Sequence, residues 1–285
     1  MLNIVKGNSF MGKTLVADDG KTEITVSVEA GPRIIGLRPV NGFNVMYEDS
    51  EDKVSRDCSD VYGKGAVWHI YGGHRLWLSP ENDSTYYPDN NPVSYEINDN
   101  EITFFPEPWK TVNVQPSLSV LFMKNGELKI THKIKNLGEK RDLCLWALTV
   151  MKSGGTLTVP LSEKDTGFLA NRNVVFWHYA SVKDERLKIC DNKIILKSNV
   201  KIPEPFKIGT FVDDFKATYE IEENGKKQVF TKRLEPVAST NYPDFHCNAE
   251  TYCTHLIHEI ETLSPIYSVN GGETVEHVEY WRIEE

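Results

Sequence analysis

Residues 71–81 hold side chains that can transfer a proton, carry charge or stack on a sugar ring: His74, Arg75, Trp77 and Glu81. The pair Gly72 and Gly73 comes directly before them and allows backbone geometries and close approaches that other residues resist. In a regular strand His74 and Arg75 point to opposite faces, so only one of them can line a given groove. The stretch is therefore either one wall of a binding site or a glycine-rich turn leading into a core strand. The spacing alone slightly favours the turn.

A second stretch, residues 256–265, contains two carboxyl groups at alternate positions. As a strand it places Glu259 and Glu261 on the same face, between aliphatic neighbours. Burial and nearby charge raise the pKa of a carboxyl group, which would suit one of the two to act as a general base. The alternative is an edge strand that displays two solvated glutamates.

Tryptophan is the other resource for binding a sugar, because an indole face can stack on the C–H face of a pyranose ring. Of the six tryptophans, Trp77 and Trp146 each lie beside other candidate chemistry. Core packing is the more common role of a tryptophan in a β-sandwich, so either residue alone is equally consistent with a structural role.

The sequence contains no recognisable motif for a metal or a cofactor. Cysteines and histidines cluster near the C-terminus at spacings that match no zinc pattern of two close ligand pairs: His246, Cys247, Cys253, His255 and His258. There is no Walker loop, no dinucleotide-binding glycine fingerprint and no Gly-x-Ser-x-Gly nucleophile motif. We therefore expect neither a metal site nor a cofactor.

The composition indicates which binding partners and which cellular compartment to expect. The 285 residues include 32 Lys plus Arg and 41 Asp plus Glu, for a net charge of −9, so nucleic acid is not an expected partner. No segment approaches the ~20 apolar residues of a membrane span, and the first residues lack the apolar run of a secretory signal. The five cysteines are odd in number and scattered, as expected of free thiols in the cytoplasm.

Alternation of apolar and polar residues dominates the chain and predicts strands. It is clearest at residues 24–30 and 128–134, where His132 falls on the apolar face as a core histidine would. Residues 143–151 are almost all apolar, which predicts a strand buried on both faces. Because no segment shows a helical repeat of more than about three turns, we predict an all-β sandwich or barrel, with residues 1–285 in one domain.

Four stretches together resemble the galactose mutarotase-like superfamily, which contains aldose 1-epimerases. They cover residues 24–47, 71–81, 128–151 and 258–265, followed by a closing hairpin at 277–283. The chain looks closer to an uncharacterised bacterial branch than to true galactose mutarotases. The resemblance implies a β-supersandwich of antiparallel strands with an open carbohydrate groove. It also implies a cofactor-free reaction in which a glutamate deprotonates the anomeric hydroxyl and a histidine protonates the ring oxygen.

The resemblance carries over to individual residues with one departure. Glu261 best matches the catalytic glutamate, with Glu259 as second choice, and His74 is the nearest match to the first family histidine. The second histidine should fall near Trp146, where this sequence has none. Its role as acid would then fall to His74 or to His178, or be lost.

The substrate-binding set implied by the resemblance is Arg75, Trp77, Glu81, Trp146 and Lys232. Arg75 and Lys232 would bind an anion or hydroxyls, and the two tryptophans would form stacking walls. The expected ligand is a small carbohydrate, phosphorylated or not, and the protein would be a monomer or homodimer. The alternatives are a sugar-binding protein without catalysis, and lyase or hydrolase chemistry with Glu81 or Tyr242 as a second acid beside Glu261.

Overall fold

Antiparallel strands make up almost all of the regular structure in the computed structural model, which describes residues 2–239 and 241–285. In chain order the strands are β1 Asn3–Ser9, β2 Gly12–Asp18, β3 Thr22–Ser27, β4 Arg33–Pro39, β5 Ser55–Asp57, β6 Val67–His69, β7 Gly73–Ser79, β8 Ser94–Asn98, β9 Glu101–Phe105, β10 Val114–Phe122, β11 Leu128–Asn136, β12 Arg141–Lys152, β13 Thr156–Pro160, β14 Val175–Phe176, β15 Leu187–Ile189, β16 Lys193–Lys197, β17 Phe206–Thr210, β18 Lys216–Glu223, β19 Lys226–Leu234, β20 Ala249–Cys253, β21 Ile257–Leu263, β22 Tyr267–Val269 and β23 Thr274–Glu284.

Helices are short wherever the structure describes the chain. Two α-helical turns occur, α1 Ser59–Tyr62 and α2 Pro243–His246, with 3₁₀ turns at Asp83–Thr85 and Lys110–Val112. None of the described helices has the length and apolar character needed to cross a membrane. The prediction of an all-β fold is confirmed.

The strands form two large sheets. The first has the order β1-β2-β3-β4-β7-β12-β21-β20-β17-β14, with β22 paired to the start of β12. The second has the order β15-β16-β13-β18-β19-β23-β11-β10-β9-β8. Strands β5 and β6 form a separate two-stranded ribbon. The two stretches singled out in the sequence, β7 and β21, therefore lie on either side of β12 in the middle of the first sheet.

The main core lies between the two sheets and follows from the alternation of apolar residues. In β10 every second residue is buried, and the buried ones include Leu118, Val120 and Phe122. They pack in one cluster with residues of the first sheet such as Ile24 and Val26. Full burial of an aliphatic or aromatic side chain contributes roughly 1.5–3 kcal/mol, so this cluster holds the sheets together.

The centre of the first sheet is covered on both faces. Nine consecutive residues of β12, 143–151, and all seven residues of β21 are buried. One face packs against the second sheet. The other carries a separate aromatic and aliphatic cluster that includes Trp68, Trp77, Trp146 and Leu148. The prediction that residues 143–151 are buried on both faces is confirmed by this arrangement.

Candidate functional site

A cavity of about 530 Å³ opens on the face of the first sheet that points away from the second sheet. We call it the Trp77 cavity. Its floor and walls come from β7, β12, β17 and β21 and from the turn before β21; the side chains used below are Arg75, Trp77, Trp146, Lys207, His255 and Glu259. A concave site with aromatic walls and a few convergent polar groups is typical of small-ligand binding.

The Gly72–Gly73 pair decides which side chains of β7 face the cavity. Both glycines have positive φ, at 93° and 65°, and a Cβ on Gly72 would lie 2.0 Å from the Tyr47 carbonyl oxygen. The backbone can therefore bend here only with glycine. After the bend, Arg75 and Trp77 line the cavity, whereas His74 points between the two sheets.

Arg75 is a buried cation without a hydrogen bond to any acceptor in the described part of the chain. Its side chain is 3% exposed, and Nε and Nη1 have no partner. Nη2 lies 3.5 Å from Oε1 of Glu259, beyond good hydrogen-bond distance. The guanidinium carbon lies 4.5 Å from the ring centroid of Trp77 and 5.3 Å from that of Trp68. Burial lowers the pKa of Arg75 to about 10, so the group stays charged at neutral pH.

Glu259 supplies the carboxyl group that reaches the cavity. It pairs with Tyr252 of β20 in the sheet register, and both side chains line the cavity. Burial is the main cause that raises the pKa of Glu259 to about 7, and Arg75 opposes part of that rise. A carboxyl group with such a pKa can take or give a proton at neutral pH.

Glu261 lies on the same face of β21 but is sealed beneath the cavity. It is fully buried, and its Oε2 accepts hydrogen bonds from Trp146 Nε1 at 2.8 Å and from Lys207 Nζ at 2.9 Å. The sequence-based expectation that Glu259 and Glu261 share a face agrees with this geometry. However, Glu261 is not among the residues that line the Trp77 cavity.

Lys207 lies between the carboxyl groups of Glu250 and Glu261, beneath the cavity. Its Nζ lies 2.7 Å from Glu250 and 2.9 Å from Glu261. Burial alone would lower the pKa of Lys207, but Glu261 and Glu250 outweigh it and hold that pKa above its usual value. Burial also raises the pKa of Glu250 well above its ordinary range. The ammonium group of Lys207 is therefore already matched by protein carboxyl groups.

Aromatic side chains form the walls of the cavity. The rings of Trp77 and Trp146 meet edge to face with centroids 5.4 Å apart, and Trp68 lies 5.4 Å from Trp77. Lys207 Nζ lies 4.6 Å from the Trp146 ring centroid, which fixes the indole from below. Glu81 lies at the cavity edge, beside Tyr86. Arg75, Trp77, Glu81 and Trp146 are thus brought together, as the sequence-based set required.

His74 lies outside the Trp77 cavity, contrary to its expected place in the groove. Its side chain is fully buried between the sheets, where Nε2 lies 2.7 Å from His132 Nε2 and Nδ1 lies 2.9 Å from Thr149 Oγ1. Burial, followed by the charges of His132 and Lys232, lowers the pKa of His74 well below its usual value. The bend at Gly72 turns it away from the cavity, so it is not positioned to protonate a sugar bound there.

Lys232 also lies between the sheets, which corrects its expected place among the binding residues. It is fully buried, and its Nζ lies 2.7 Å from Glu279 and donates to Thr149 Oγ1 and to the Ile260 carbonyl, both at 3.0 Å. Burial lowers the pKa of Lys232, and Glu279 opposes that shift. The ammonium group of Lys232 lies in the protein interior and does not line the Trp77 cavity, because strand β19 faces the first sheet at this point.

The same interior network contains ligand types for a metal ion. One nitrogen each of His74 and His132 and one oxygen of Glu279 all lie within 4.8 Å of one another. Lys232 already supplies a positive charge to Glu279, and a divalent ion beside it would leave an excess of buried positive charge. The cysteines and histidines at 246–258 form no comparable group within residues 2–239 and 241–285.

Several residues that line the Trp77 cavity were not predicted from the sequence. Lys207 could have been found as a lysine between apolar neighbours in a predicted strand, since a fully buried lysine needs a partner. His255 and Tyr252 line the cavity from the β20–β21 hairpin, and nothing in their spacing marks them. Of the remaining candidates, His178 is exposed and Tyr242 lines a different cavity, and neither lines the Trp77 cavity.

Comparison with solved structures identifies the architecture. A putative aldose 1-epimerase from Klebsiella pneumoniae superposes with a TM-score of 0.59 at 10% identity, covering 99% of this chain and 83% of that one. The Slr1438 protein of Synechocystis sp. superposes with a TM-score of 0.58 at 11% identity, covering 99% and 96% of the two chains. The fold is the galactose mutarotase-like β-sandwich.

A third structure shows that this β-sandwich also occurs within a longer chain. A TPR-domain containing protein from Parabacteroides distasonis superposes with a TM-score of 0.54 at 16% identity, and the match covers 95% of this chain but 47% of that one. No protein-family model matches the sequence, and no curated protein does. At such identities the mutarotase-like resemblance is confirmed for the fold, and the activity has to be argued from the site.

Proposed function

We propose that the protein binds a small carbohydrate in the Trp77 cavity and interconverts its anomers by general acid–base catalysis. The observation that carries the proposal is the position of Glu259, a carboxyl group with a pKa of about 7 at the edge of a cavity walled by tryptophans. Indole faces bind the C–H face of a sugar ring, and a carboxyl group in this pKa range is suited to proton transfer near neutral pH.

In the proposed reaction Glu259 and His255 share the proton transfers. Glu259 takes the proton from the anomeric hydroxyl while His255 gives one to the ring oxygen, so the bond between C1 and the ring oxygen breaks and an aldehyde forms. Rotation about C1–C2 and the reverse transfers close the ring on the other face. Both side chains line the cavity, and Nδ1 of His255 has no partner among the described residues. His255 would thus replace the histidine expected near Trp146.

The test is the rate of anomer exchange on a panel of aldoses, measured by NMR exchange spectroscopy. We expect Glu259→Gln to reduce kcat/KM by about 10²-fold or more, since a positioned general base contributes at least that much. In the wild type the rising limb of the pH profile of kcat/KM should end near pH 7, because Glu259 must be deprotonated. Glu127→Gln, a carboxyl group paired with Arg233 outside the cavity, is the control. Full activity of Glu259→Gln would disprove the assignment.

The second candidate is a sugar-binding protein without catalysis. It is favoured by the positions of the two residues that best matched the family's acid and base. Glu261 is held by Trp146 and Lys207 beneath the cavity, and His74 lies between the sheets. This candidate predicts saturable sugar binding, with an exchange rate equal to that of the sugar in buffer.

A further inference from the structure

The Trp77 cavity contains a buried guanidinium group whose hydrogen-bonding capacity the protein leaves unused. Arg75 has five N–H donors, and none reaches an acceptor in residues 2–239 or 241–285 within hydrogen-bond distance. The indole N–H of Trp68, which also lines the cavity, has no acceptor in the same part of the chain. Buried donors of this kind are costly unless a partner satisfies them, and here they face the space in which a ligand would bind.

The other arginine and lysine side chains of the cavity, Arg56 and Lys207, are already paired with carboxyl groups of the protein. Lys207 lies between Glu250 and Glu261, and Arg56 at the exposed rim pairs with Asp83 at 2.6 Å. Among the described residues, Glu259 is the carboxyl group that forms an ion pair with Arg75. Because burial raises the pKa of Glu259 to about 7, it neutralises Arg75 only in part at neutral pH. Arg75 is therefore the cation of the cavity whose charge the protein neutralises only in part and whose donors it leaves without acceptors among the described residues.

One unmatched guanidinium group suits a ligand with a single negative charge and a planar pair of oxygens. A carboxylate meets both conditions, because it accepts two parallel hydrogen bonds from an arginine. A phosphate dianion would bring a second negative charge close to Glu259 and Glu81, and among the described residues Arg75 is the arginine or lysine of the cavity that no carboxyl group holds by a hydrogen bond.

We propose that the sugar bound in the Trp77 cavity is a sugar acid, such as a hexuronate, and that Arg75 binds its carboxylate. This inference rests on the proposed carbohydrate site but concerns binding only, so it does not depend on turnover. Trp77 flanks the guanidinium group and would pack against the pyranose ring next to the carboxylate. Arg75 is then the residue that determines specificity for the substituent at C5.

The test is calorimetric titration at pH 7 with sugar pairs that differ only at C6: glucuronate and glucose, galacturonate and galactose, mannuronate and mannose. In at least one pair the uronate should bind about 30-fold or more tightly than the neutral sugar, as expected for a desolvated charge pair. Glucose 6-phosphate tests the other source of negative charge and should bind more weakly than glucuronate.

Variants of Arg75 assign the preference to this residue. Arg75→Gln should remove the preference for the uronate, and Arg75→Lys, which keeps the charge but not the planar donor pair, should recover only part of it. Arg38→Gln, on β4 and paired with Glu23, is the matched control and should leave the preference unchanged. Melting temperatures of all variants verify that they are folded.

Each outcome separates the two proposals. Equal affinity for the uronate and the neutral sugar, or tighter binding of glucose 6-phosphate, would overturn the sugar-acid inference and leave the carbohydrate site standing. Failure of every sugar to bind the wild type would overturn both. A uronate preference that survives in Arg75→Gln would show that another group binds the carboxylate.

Discussion

At the scale of single residues, Arg75 contributes to the site at the expense of the stability of the free protein. The group is buried, charged and without a hydrogen bond, in a cavity where its nearest carboxyl group lies 3.5 Å away. Burying a charge with imperfect partners is destabilising, and its replacement by an apolar side chain of similar volume is often neutral or stabilising. Such trade-offs between stability and activity are expected of binding sites.

We therefore predict that Arg75→Met leaves the free energy of unfolding unchanged or raises it by about 1 kcal/mol, while sugar-acid binding is lost. Glu259 can become protonated when Arg75 is absent, so no unpaired carboxylate remains at neutral pH. Urea denaturation of the ligand-free protein measures the first effect and calorimetry the second. A loss of 3 kcal/mol or so would show that the contacts of Arg75 with Trp68 and Trp77 stabilise the fold.

The sequence predicted which residues share a face better than it predicted which of them reach the ligand. Strand alternation correctly placed Glu259 and Glu261 together, because the period of a strand is a local property. Glu261 is held beneath the cavity by Lys207, which lies 54 residues from it in sequence. A contact of that range follows from the strand order β21-β20-β17, which no local pattern specifies.

At the scale of elements, the bend before β7 decides which of His74 and Arg75 enters the cavity. The sequence predicted that only one of them could do so, and it could not predict which, since the answer depends on the path of the chain through Gly72 and Gly73. In the structure a Cβ on Gly72 would lie 2.0 Å from the Tyr47 carbonyl oxygen, so a side chain has no space there. The glycine pair is therefore a requirement of the site as well as of the fold.

We predict that Gly72→Ala destabilises the protein by about 3 kcal/mol or more, through backbone strain added to a direct clash with the Tyr47 carbonyl. Gly20→Ala is a close control, because Gly20 has φ of 88° against 93° for Gly72, and a Cβ there meets nothing within 4 Å. Its cost should stay near 1 kcal/mol, the strain of a positive φ alone. Denaturation curves compare the two variants, and equal costs would show that the close approach to Tyr47 is relieved by a small backbone shift.

At the scale of the whole molecule, a polar network joins the two sheets directly behind the site. It runs from His74 on β7 to His132 on β11, and from Thr149 on β12 through Lys232 to Glu279. The sequence placed His132 on an apolar face, which is correct. It could not pair it with His74, since the two strands belong to different sheets. That all 285 residues form one domain stays a prediction.

The buried histidines make the stability of the whole fold depend on pH. Burial, reinforced by nearby positive charges, lowers the pKa values of His74 and His132 well below 6.5 and those of His258 and His277 to about 3. In the unfolded chain these groups bind protons near pH 6.5, whereas in the folded protein they stay neutral. Their contribution to stability is therefore complete above pH 6.5 and is lost as the pH falls below it.

Two carboxyl groups act in the opposite direction. Burial raises the pKa of Glu259 to about 7 and that of Glu250 well above its ordinary range, so both groups hold protons more tightly in the folded protein and release them on unfolding above pH 4.5. Their contribution to stability is complete below pH 4.5 and is lost as the pH rises through the raised pKa values. Near pH 5.5 the four histidines outnumber the two carboxyl groups. Unfolding should take up about two protons there, so the free energy of unfolding should fall by about 3 kcal/mol per pH unit around pH 5.5. The slope should be smaller near pH 6.5, where the histidines of the unfolded chain are only about half protonated.

Urea denaturation at pH 6.5, 6.0, 5.5 and 5.0 measures this slope. His258→Gln removes one of the four titrating groups and should reduce proton uptake by about one, so the slope should fall by about 1.4 kcal/mol per pH unit. Thr251→Val is the matched control: it removes the hydroxyl group that lies 3.1 Å from His258 Nε2 but keeps the histidine, so it should lower stability equally at every pH. If His258→Gln left the slope unchanged, His258 would have to bind its proton in the folded protein as well, and its assignment as a source of acid sensitivity would be wrong.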